Sequence, residues 1–364
     1  MVSITRPTLI IDKEKCLNNI RVMAEKAQRS GVGLRPHFKT HQSLEVGRWF
    51  KAVGISKITV SSFEMAEYFS TEWCDITVAF PANILEIETI NRLASKIQLN
   101  VLIESIETAA FLEQYLAHDV GCFLKIDLGA HRTGLNPENT EAMDNLMEYT
   151  HKAEKLELKG FLGHAGHSYH AKDITEITTI HQQSVSLMSS LKKRYKNPGV
   201  IVSIGDTPTC SLMDDFRDVD EIRPGNFVFY DLMQHYIGSN KAEQIAVALA
   251  CPVVAIHKQR NEAVIYGGGI HFSKERIEHP KYGPVYGQVV ENKGSAWGAI
   301  IPDMFLKGLS QEHGIVSIRG ERINDLSVGD VLMVLPVHSC MAANLMKEYY
   351  VAESGDKITT MNSC

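Results

Sequence analysis

Long apolar runs are missing from this chain. The longest, Ile245 to Ile256, covers about 12 residues and contains Pro252, short of the roughly 18 that a membrane-spanning helix needs. The start, Met1-Val2-Ser3-Ile4-Thr5-Arg6-Pro7, has no basic stretch followed by an apolar one, so no signal peptide is expected. The seven cysteines (Cys16, Cys74, Cys122, Cys210, Cys251, Cys340, Cys364) are scattered and form no C-x-x-C pair. That pattern argues against a disulfide framework and for a reducing, cytoplasmic compartment. Lys and Arg (37) are outnumbered by Asp and Glu (43), for a net charge of -6, and no basic cluster stands out. Neither nucleic acid nor an anionic membrane is therefore an expected partner. Low-complexity segments and close repeats are also absent. The remaining composition, 44% hydrophobic and 22% charged, is ordinary for a globular protein whose partners are small organic molecules.

What is present is alternation. Short apolar or β-branched runs recur at Thr8–Asp12, Leu34–Lys39, Lys57–Ser61, Asp75–Phe80, Leu99–Ile103, Phe123–Asp127, Leu158–Gly163, Val200–Ile204 and Asn226–Tyr230. Between most of them lie stretches of helix length, such as the one carrying Leu17, Ile20, Ala24 and Ala27 at helical spacing. Strands alternating with helices pair in parallel through right-handed crossovers, and this number over about 230 residues points to a (β/α)8 TIM-type barrel. One run is surplus, and Thr8–Asp12 is expected to pair with the second domain. Lys39 would then end barrel strand 1, the loop from Gly205 to Thr209 would follow strand 7, and Arg223-Pro224-Gly225 would lead into strand 8. Beyond residue 243, strand-like runs (Ala246–Ile256, Glu262–Tyr266, Gly314–Ile318, Val331–Leu335) replace helical ones. The division expected is a barrel over residues 9–242 and a mostly-β C-terminal domain over 243–364, with residues 1–8 contributing a strand to the latter.

Lys39 lies in Arg35-Pro36-His37-Phe38-Lys39-Thr40-His41, at the C-terminal end of a strand, where barrel enzymes keep their chemistry. Strand period two puts Arg35, His37, Lys39 and His41 on one side if the strand runs that far. An amine held among such neighbours suits Schiff-base chemistry.

The segment Pro36-His37-Phe38-Lys39-Thr40-His41 resembles the P-H-x-K-T-H signature of the D-serine dehydratase / D-threonine aldolase family. These are fold-type III enzymes dependent on pyridoxal 5'-phosphate (PLP), related to alanine racemase. The resemblance runs along nearly the whole chain through several motifs in order. It implies that Lys39 is the Schiff-base lysine with His37 beside the cofactor, that a PLP-binding barrel precedes a β domain, and that the enzyme is a homodimer with active sites at the interface.

The other motifs extend the likeness. Gly205-Asp206-Thr207-Pro208-Thr209 supplies glycine and hydroxyls suited to a phosphate and resembles the family's G-[ST]-T-P-T loop, with Asp206 in place of the usual serine. An acidic side chain there must point away from the phosphate. Gly225 and Asn226 resemble its second phosphate contact. Lys125-Ile126-Asp127-Leu128-Gly129-Ala130-His131-Arg132-Thr133-Gly134 resembles K-x-D-x-G-x-x-R-x-G, which implies that Arg132 reaches the cofactor's phenolate side or the substrate carboxylate. His164-Ala165-Gly166-His167-Ser168-Tyr169 resembles H-x-G-x-x-Y, which implies Tyr169 as partner of the pyridine nitrogen; His164 and His167 are read as supporting loop residues.

His338-Ser339-Cys340 follows a strand, so both side chains would face one way on extended chain, and an imidazole with a thiolate suits zinc. The stretch from Pro336 to Leu345 resembles the family's P-x-H-x-C/D-x-x-x-N-L metal motif. Cysteine there goes with zinc and β-elimination; aspartate goes with manganese or magnesium and aldol cleavage. The expectation is a PLP- and zinc-dependent lyase that eliminates water from a β-hydroxy D-amino acid, giving a 2-oxo acid and ammonia. D-threonine aldolase-type cleavage to glycine and an aldehyde is the alternative, followed by an amino-acid racemase or a non-catalytic PLP-binding protein. His271, in Gly267-Gly268-Gly269-Ile270-His271, is a candidate substrate contact.

Overall fold

The computed structural model describes residues 3–195, 199–294 and 296–361; Cys364 lies outside them. The chain folds as two compact units, one of Arg21–Lys39 and Gly47–Gly225, the other of Met1–Ile20, Thr40–Val46 and Asn226–Cys364. The change of sequence texture at 242/243 is thus not where the packing divides. Residues 226–231 hydrogen-bond with residues 338–340, and the first strand joins the C-terminal sheet.

That strand is β1 (Thr8–Ile11), followed by helix α1 (Lys13–Arg29). The barrel strands are β2 (Gly33–Leu34), β3 (Lys57–Val60), β4 (Asp75–Pro81), β5 (Gln98–Ile103), β6 (Val120–Ile126), β7 (Leu156–Gly163), β8 (Ile201–Ile204) and β9 (Glu221–Ile222). They alternate with α2 (Leu44–Lys51), α3 (Phe63–Ser70), α4 (Ile87–Ala94), α5 (Ile106–Tyr115), α6 (Thr140–Lys152), α7 (Ile174–Arg194) and the short α8 (Thr207–Leu212). Several helices start where their sequence says they should. Ser62, Ser105 and Asp173 accept the backbone N–H three residues on, satisfying donors that the first turn leaves open. All eight strands are parallel, in the order β2-β9-β8-β7-β6-β5-β4-β3, and a bridge between His37 and Thr59 closes the ring. The expected α/β barrel is the fold observed.

Two expected strands are corrected. The run Leu34–Lys39 is extended only at β2 and at the His37 bridge, and the chain turns from Phe38 onward. The cause is the buried Phe38 ring, which sits 5.0 Å from each of Phe50, Phe69 and Trp73. Period two therefore does not carry from Arg35 to His41. The apolar run Asn226–Tyr230 is no strand either. It begins as a 3-10 turn at Asn226–Val228, with Phe229 and Tyr230 both donating to the Asn226 carbonyl. The eighth barrel strand is β9, so Arg223-Pro224-Gly225 leaves a strand end instead of leading into one.

Part of the barrel interior is apolar, around Leu102, Phe123 and Leu162. Another part is a chain of buried polar groups. Arg35 bonds Asp75 at 2.6 Å and Glu221 at 2.9 Å. Asn100 donates to Asp75, and the Ser203 hydroxyl donates to Glu221 and accepts from Arg223. The Arg223 guanidinium also donates to the Gly163 carbonyl at the end of β7. One connected set thus ties β4 and β5 to β7, β8 and β9.

The other unit is built on β10 (Val247–His257), β11 (Glu262–Tyr266), β12 (Ile277–His279), β13 (Gly283–Val285), β14 (Gly287–Asn292), β15 (Trp297–Leu309), β16 (His313–Ile318), β17 (Val331–Pro336), β18 (Glu348–Val351) and β19 (Lys357–Thr359). Its helices are α9 (Leu232–Tyr236), α10 (Gly269–Phe272) and α11 (Ser339–Met346). The main sheet runs β11-β16-β15-β14-β17-β10-β1-β18-β19, and β10 also pairs with β11 past an irregularity between Val253 and Ala255. β1 pairs antiparallel with β10, Thr8 opposite Ala250, which accounts for the surplus strand. His41 is fully buried; its Nδ1 accepts from Ser43 N–H, and its carbonyl accepts from the Tyr349 hydroxyl at 2.6 Å.

Two outcomes follow from these buried groups. Arg35→Ala strands two carboxylates inside the barrel and should cost about 3–5 kcal/mol, read as the loss of urea resistance; an unchanged midpoint would show that the ion pairs do not hold the barrel. Burial also lowers the His41 pKa from 6.5 to about 3. The unfolded chain then binds a proton below pH 6.5 that the folded chain refuses, so stability should be full above 6.5 and fall by up to about 1.4 kcal/mol per pH unit as pH drops toward 3. His41→Asn should flatten that slope in urea titrations at pH 7.5 and 5; an identical slope would acquit His41.

Candidate active site

Five segments singled out by motif lie at the C-terminal ends of the barrel strands. Gly205 follows β8, and a Cβ there would stand 2.6 Å from the backbone nitrogen of Arg223, so only glycine allows the two strand ends to come this close. That proximity brings Gly205-Asp206-Thr207 beside Arg223-Pro224-Gly225. His164, after β7, donates its Nδ1–H to the Gly205 carbonyl. Burial lowers the His164 pKa to about 3, with nearby Lys39, Arg223 and Arg132 adding to the effect, so the ring is neutral. The imidazole is therefore a brace between the β7 and β8 loops.

Asp206 is the N-cap of α8. Its carboxylate accepts from the Thr209 N–H at 2.8 Å, the Thr209 hydroxyl at 2.9 Å and the Ser168 hydroxyl at 2.8 Å. Burial raises its pKa, against those same hydrogen bonds. The acidic side chain of the 205–209 loop is thus turned into the helix and the β7 loop, where it shapes the loop. Beside it, Thr207 is fully buried and its Oγ1 has no hydrogen-bond partner, while its N–H is bonded by the Tyr169 hydroxyl at 3.1 Å. A buried hydroxyl left open in a glycine-containing turn fits an oxyanion of a phosphate.

Lys39 lies in the turn after the His37 bridge and is exposed, so it does not continue the strand line that would have put it on one side with Arg35 and His37. His37 donates its backbone N–H to the Pro224 carbonyl at 2.9 Å, and its Nδ1 lies 3.4 Å from the Lys39 N–H. The first barrel segment is thereby tied to the segment after β9. Arg132 sits exposed on the loop after β6. Asp127 shapes that loop by accepting from the Gly129 and His131 N–H groups and the His131 ring. Gly134, at φ +114, lets the chain return onto β6, where Leu135 pairs with Lys125 and Asp127.

Two residues that sequence reasoning passed over sit at this end of the barrel. Arg223 is fully buried, and desolvation lowers its pKa to about 10 against the pull of Glu221. Lys125 is buried too; it donates to the Ile126 carbonyl, and desolvation followed by Arg223 lowers its pKa to about 8. Both stand in motif segments at the end of a barrel strand, so the signal was a basic residue at a strand end. A cavity of about 550 Å³ lies elsewhere in the barrel unit, against α7, lined in part by His181, Val185, Leu212 and Asp215. It contains none of the motif residues.

In the other unit, His338 and Cys340 are brought together by a helix start, not by extended chain. α11 begins at Ser339, and His338 lies at its N-cap. The His338 Nδ1 is buried without a hydrogen-bond partner. Burial opposes a charge on the ring, yet the hydrogen bond and charge of Cys340, with Asp231 and Glu275 behind it, raise its pKa to about 9. Around the sulfur, the Thr40 hydroxyl lies at 3.3 Å and the Asn226 Nδ2 at 3.5 Å. The Asn226 amide, expected on a phosphate, is turned toward Asp231, Ser339 and Cys340. Among the described residues no three His, Cys, Asp or Glu side chains converge on one point. An imidazole and a sulfur with an open nitrogen fit a tetrahedral thiophilic cation that keeps further positions open. His271 is capped on itself, its Nδ1 accepting from Gly268 N–H at 3.1 Å, and its ring packs against Tyr266. Burial lowers its pKa despite Glu312.

Known proteins resemble the chain along nearly its whole length. Residues 11–232 match the family model "Alanine racemase, N-terminal domain", and residues 246–352 match "Putative serine dehydratase domain". The chain is 29% identical to a D-serine dehydratase of Dictyostelium discoideum, over 98% of this chain and 95% of that one. It is 27% identical to a D-threo-3-hydroxyaspartate dehydratase of Delftia sp. (strain HT23), over 99% and 97%. A solved structure of that dehydratase superposes with a TM-score of 0.90 at 26% identity, covering 100% of this chain and 99% of the other. It has also been solved as a histidine-to-alanine and a cysteine-to-alanine mutant, two positions apart, the latter in a metal-free form. The chain therefore belongs to the fold-type III PLP enzymes of the alanine racemase N-terminal domain family, in the branch that carries a serine dehydratase domain.

Proposed function

We propose that this protein is a PLP- and zinc-dependent lyase that eliminates water from a β-hydroxy D-amino acid. The observation that carries the proposal is the His338–Cys340 pair, an imidazole with an open buried nitrogen beside a sulfur. Nitrogen and sulfur together favour zinc over manganese or magnesium, which prefer oxygen. The mutant pair in the Delftia dehydratase, at the same two-residue spacing, supports the reading.

When bound, the cofactor supplies a sink for the electron pair left at the α-carbon, and the metal supplies a Lewis acid for the β-oxygen. The chain does the rest. The Lys39 amine would hold the cofactor and would serve as the base that takes the α-proton of the substrate. Thr207, Gly205 and Gly225 hold the phosphate, with Asp206 keeping the loop in shape. Tyr169 and Arg132 address the ring and the substrate carboxylate, His37 flanks the lysine, and His338 with Cys340 holds the metal. Loss of the α-proton and the β-hydroxyl removes one water, and hydrolysis of the remaining enamine releases a 2-oxo acid and ammonia. The assembly proposed is a homodimer with active sites at its interface, in keeping with the family resemblance. No helix among the described residues is long and apolar enough to cross a membrane.

Lys39→Ala should lose the cofactor's near-UV or visible absorbance maximum and lower turnover by roughly 10²–10⁴-fold or more; a variant that keeps both would displace Lys39 from its role. A product assay over D-serine, D-threonine and D-3-hydroxyaspartate should yield 2-oxo acid and ammonia. Glycine with an aldehyde would assign the aldolase reaction instead. Chelator should abolish elimination and zinc should restore it better than manganese or magnesium, whereas full activity in chelator would remove the metal from the mechanism.

A further inference from the structure

The metal reading places two groups on one cation and leaves open what holds the sulfur ready for it. The polar groups around Cys340 answer that. Asp231 is buried and serves as the N-cap of α9, its Oδ1 accepting from Gln234 N–H at 2.9 Å. Its Oδ2 accepts from the Ser339 N–H at 3.0 Å, the Ser339 hydroxyl at 3.3 Å and the Asn226 Nδ2 at 2.7 Å. The carboxylate fixes which way the Asn226 amide faces, because an amide oxygen at 2.7 Å from it would be repelled. The N–H₂ end is then the only end that can meet Ser339 and Cys340, and it does, at 3.0 and 3.5 Å. The opposite end, Oδ1, is buried and makes no hydrogen bond. Leaving a buried amide oxygen unsatisfied is costly, so the amide's orientation is held against its own solvation for the sake of the donor end. The Thr40 hydroxyl, from the residue that follows Lys39 in the chain, reaches the sulfur from another segment at 3.3 Å.

We infer that Asn226 and Thr40 are positioning residues for the metal, donating hydrogen bonds to the Cys340 sulfur as a thiolate, with Asp231 locking the Asn226 amide in its donor orientation. This inference rests on the metal reading of His338 and Cys340. Donors to a thiolate stabilise its negative charge and draw electron density from the sulfur. They fix the ligand's direction, and they leave a cation bound to it the stronger Lewis acid. Asn226 thus serves the sulfur through its side chain, a different task from the phosphate contact its motif implied.

The test uses Co(II) as a coloured probe for the zinc site in the full-length protein, with Zn(II) competition for affinity. Wild type should show a near-UV thiolate-to-cobalt charge-transfer band that Cys340→Ala removes. Thr40→Val and Asn226→Ala should each move that band to longer wavelength, because a sulfur stripped of a donor gives up its electrons more easily. Each should also weaken metal binding about 10–100-fold. Thr40→Ser, which keeps the hydroxyl, should retain the wild-type band and affinity. Should Asn226→Ala fail to fold, the Thr40 pair decides alone. A Cys340-dependent band that none of the variants moves overturns the inference while leaving the metal reading intact. A wild-type protein with no such band overturns both.

Discussion

Arg35 sits inside the barrel with a carboxylate on each side, and much of the molecule's order can be traced outward from it. Asp75 and Glu221 come from β4 and β9, on either side of the Arg35 segment around the ring. An isolated charge in that interior would be prohibitively costly, so each of the three requires the others. Burial works against the charge on Arg35, but Glu221 and Asp75 outweigh it and hold the proton more firmly than usual. From Glu221 the chain of bonds passes through Ser203 to Arg223 and ends on the carbonyl of Gly163. Charge pairing low in the barrel therefore sets the ends of β7, β8 and β9, and those ends carry the loops that are proposed to hold the cofactor.

The same logic recurs in the other unit on a smaller scale. Asp231 is the buried acceptor there, and it gathers Asn226, Ser339 and the start of α9 around itself. The two carboxylates inside motif loops, Asp206 and Asp127, also accept from backbone N–H groups, joined by hydroxyls at Asp206 and by the His131 ring at Asp127. Where acidic side chains stand near the candidate sites, they organise loops, and the buried groups left open there include the Thr207 hydroxyl and the His338 Nδ1. A hydroxyl suits a phosphate oxygen, and an imidazole nitrogen suits a metal cation.

Alternation of apolar runs and helices was enough to read the parallel barrel, because a strand that is buried on both faces must be apolar along its length. The surplus strand was legible for the same reason, as Thr8–Ile11 had the composition of a core strand without a place in an eight-stranded ring. Asn226–Tyr230 misled because an apolar run records burial, and a buried 3-10 turn has the same composition as a buried strand. The segment around Lys39 misled in the other direction. Its alternation looked extended, but the Phe38 ring, packed among Phe50, Phe69 and Trp73, turns the chain there.

The sequence by itself determined the class of fold, the order of the motifs and the residue types available for chemistry, since these depend on local periodicity and on side-chain identity. It could not determine the partners. That Asp206 accepts from Ser168, that His164 braces Gly205, that Arg223 ends a polar chain begun at Arg35, and that Asn226 faces Cys340 are all contacts between segments distant in the chain. Only tertiary structure decides them, because a buried donor or acceptor takes whichever partner the packing places within about 3 Å.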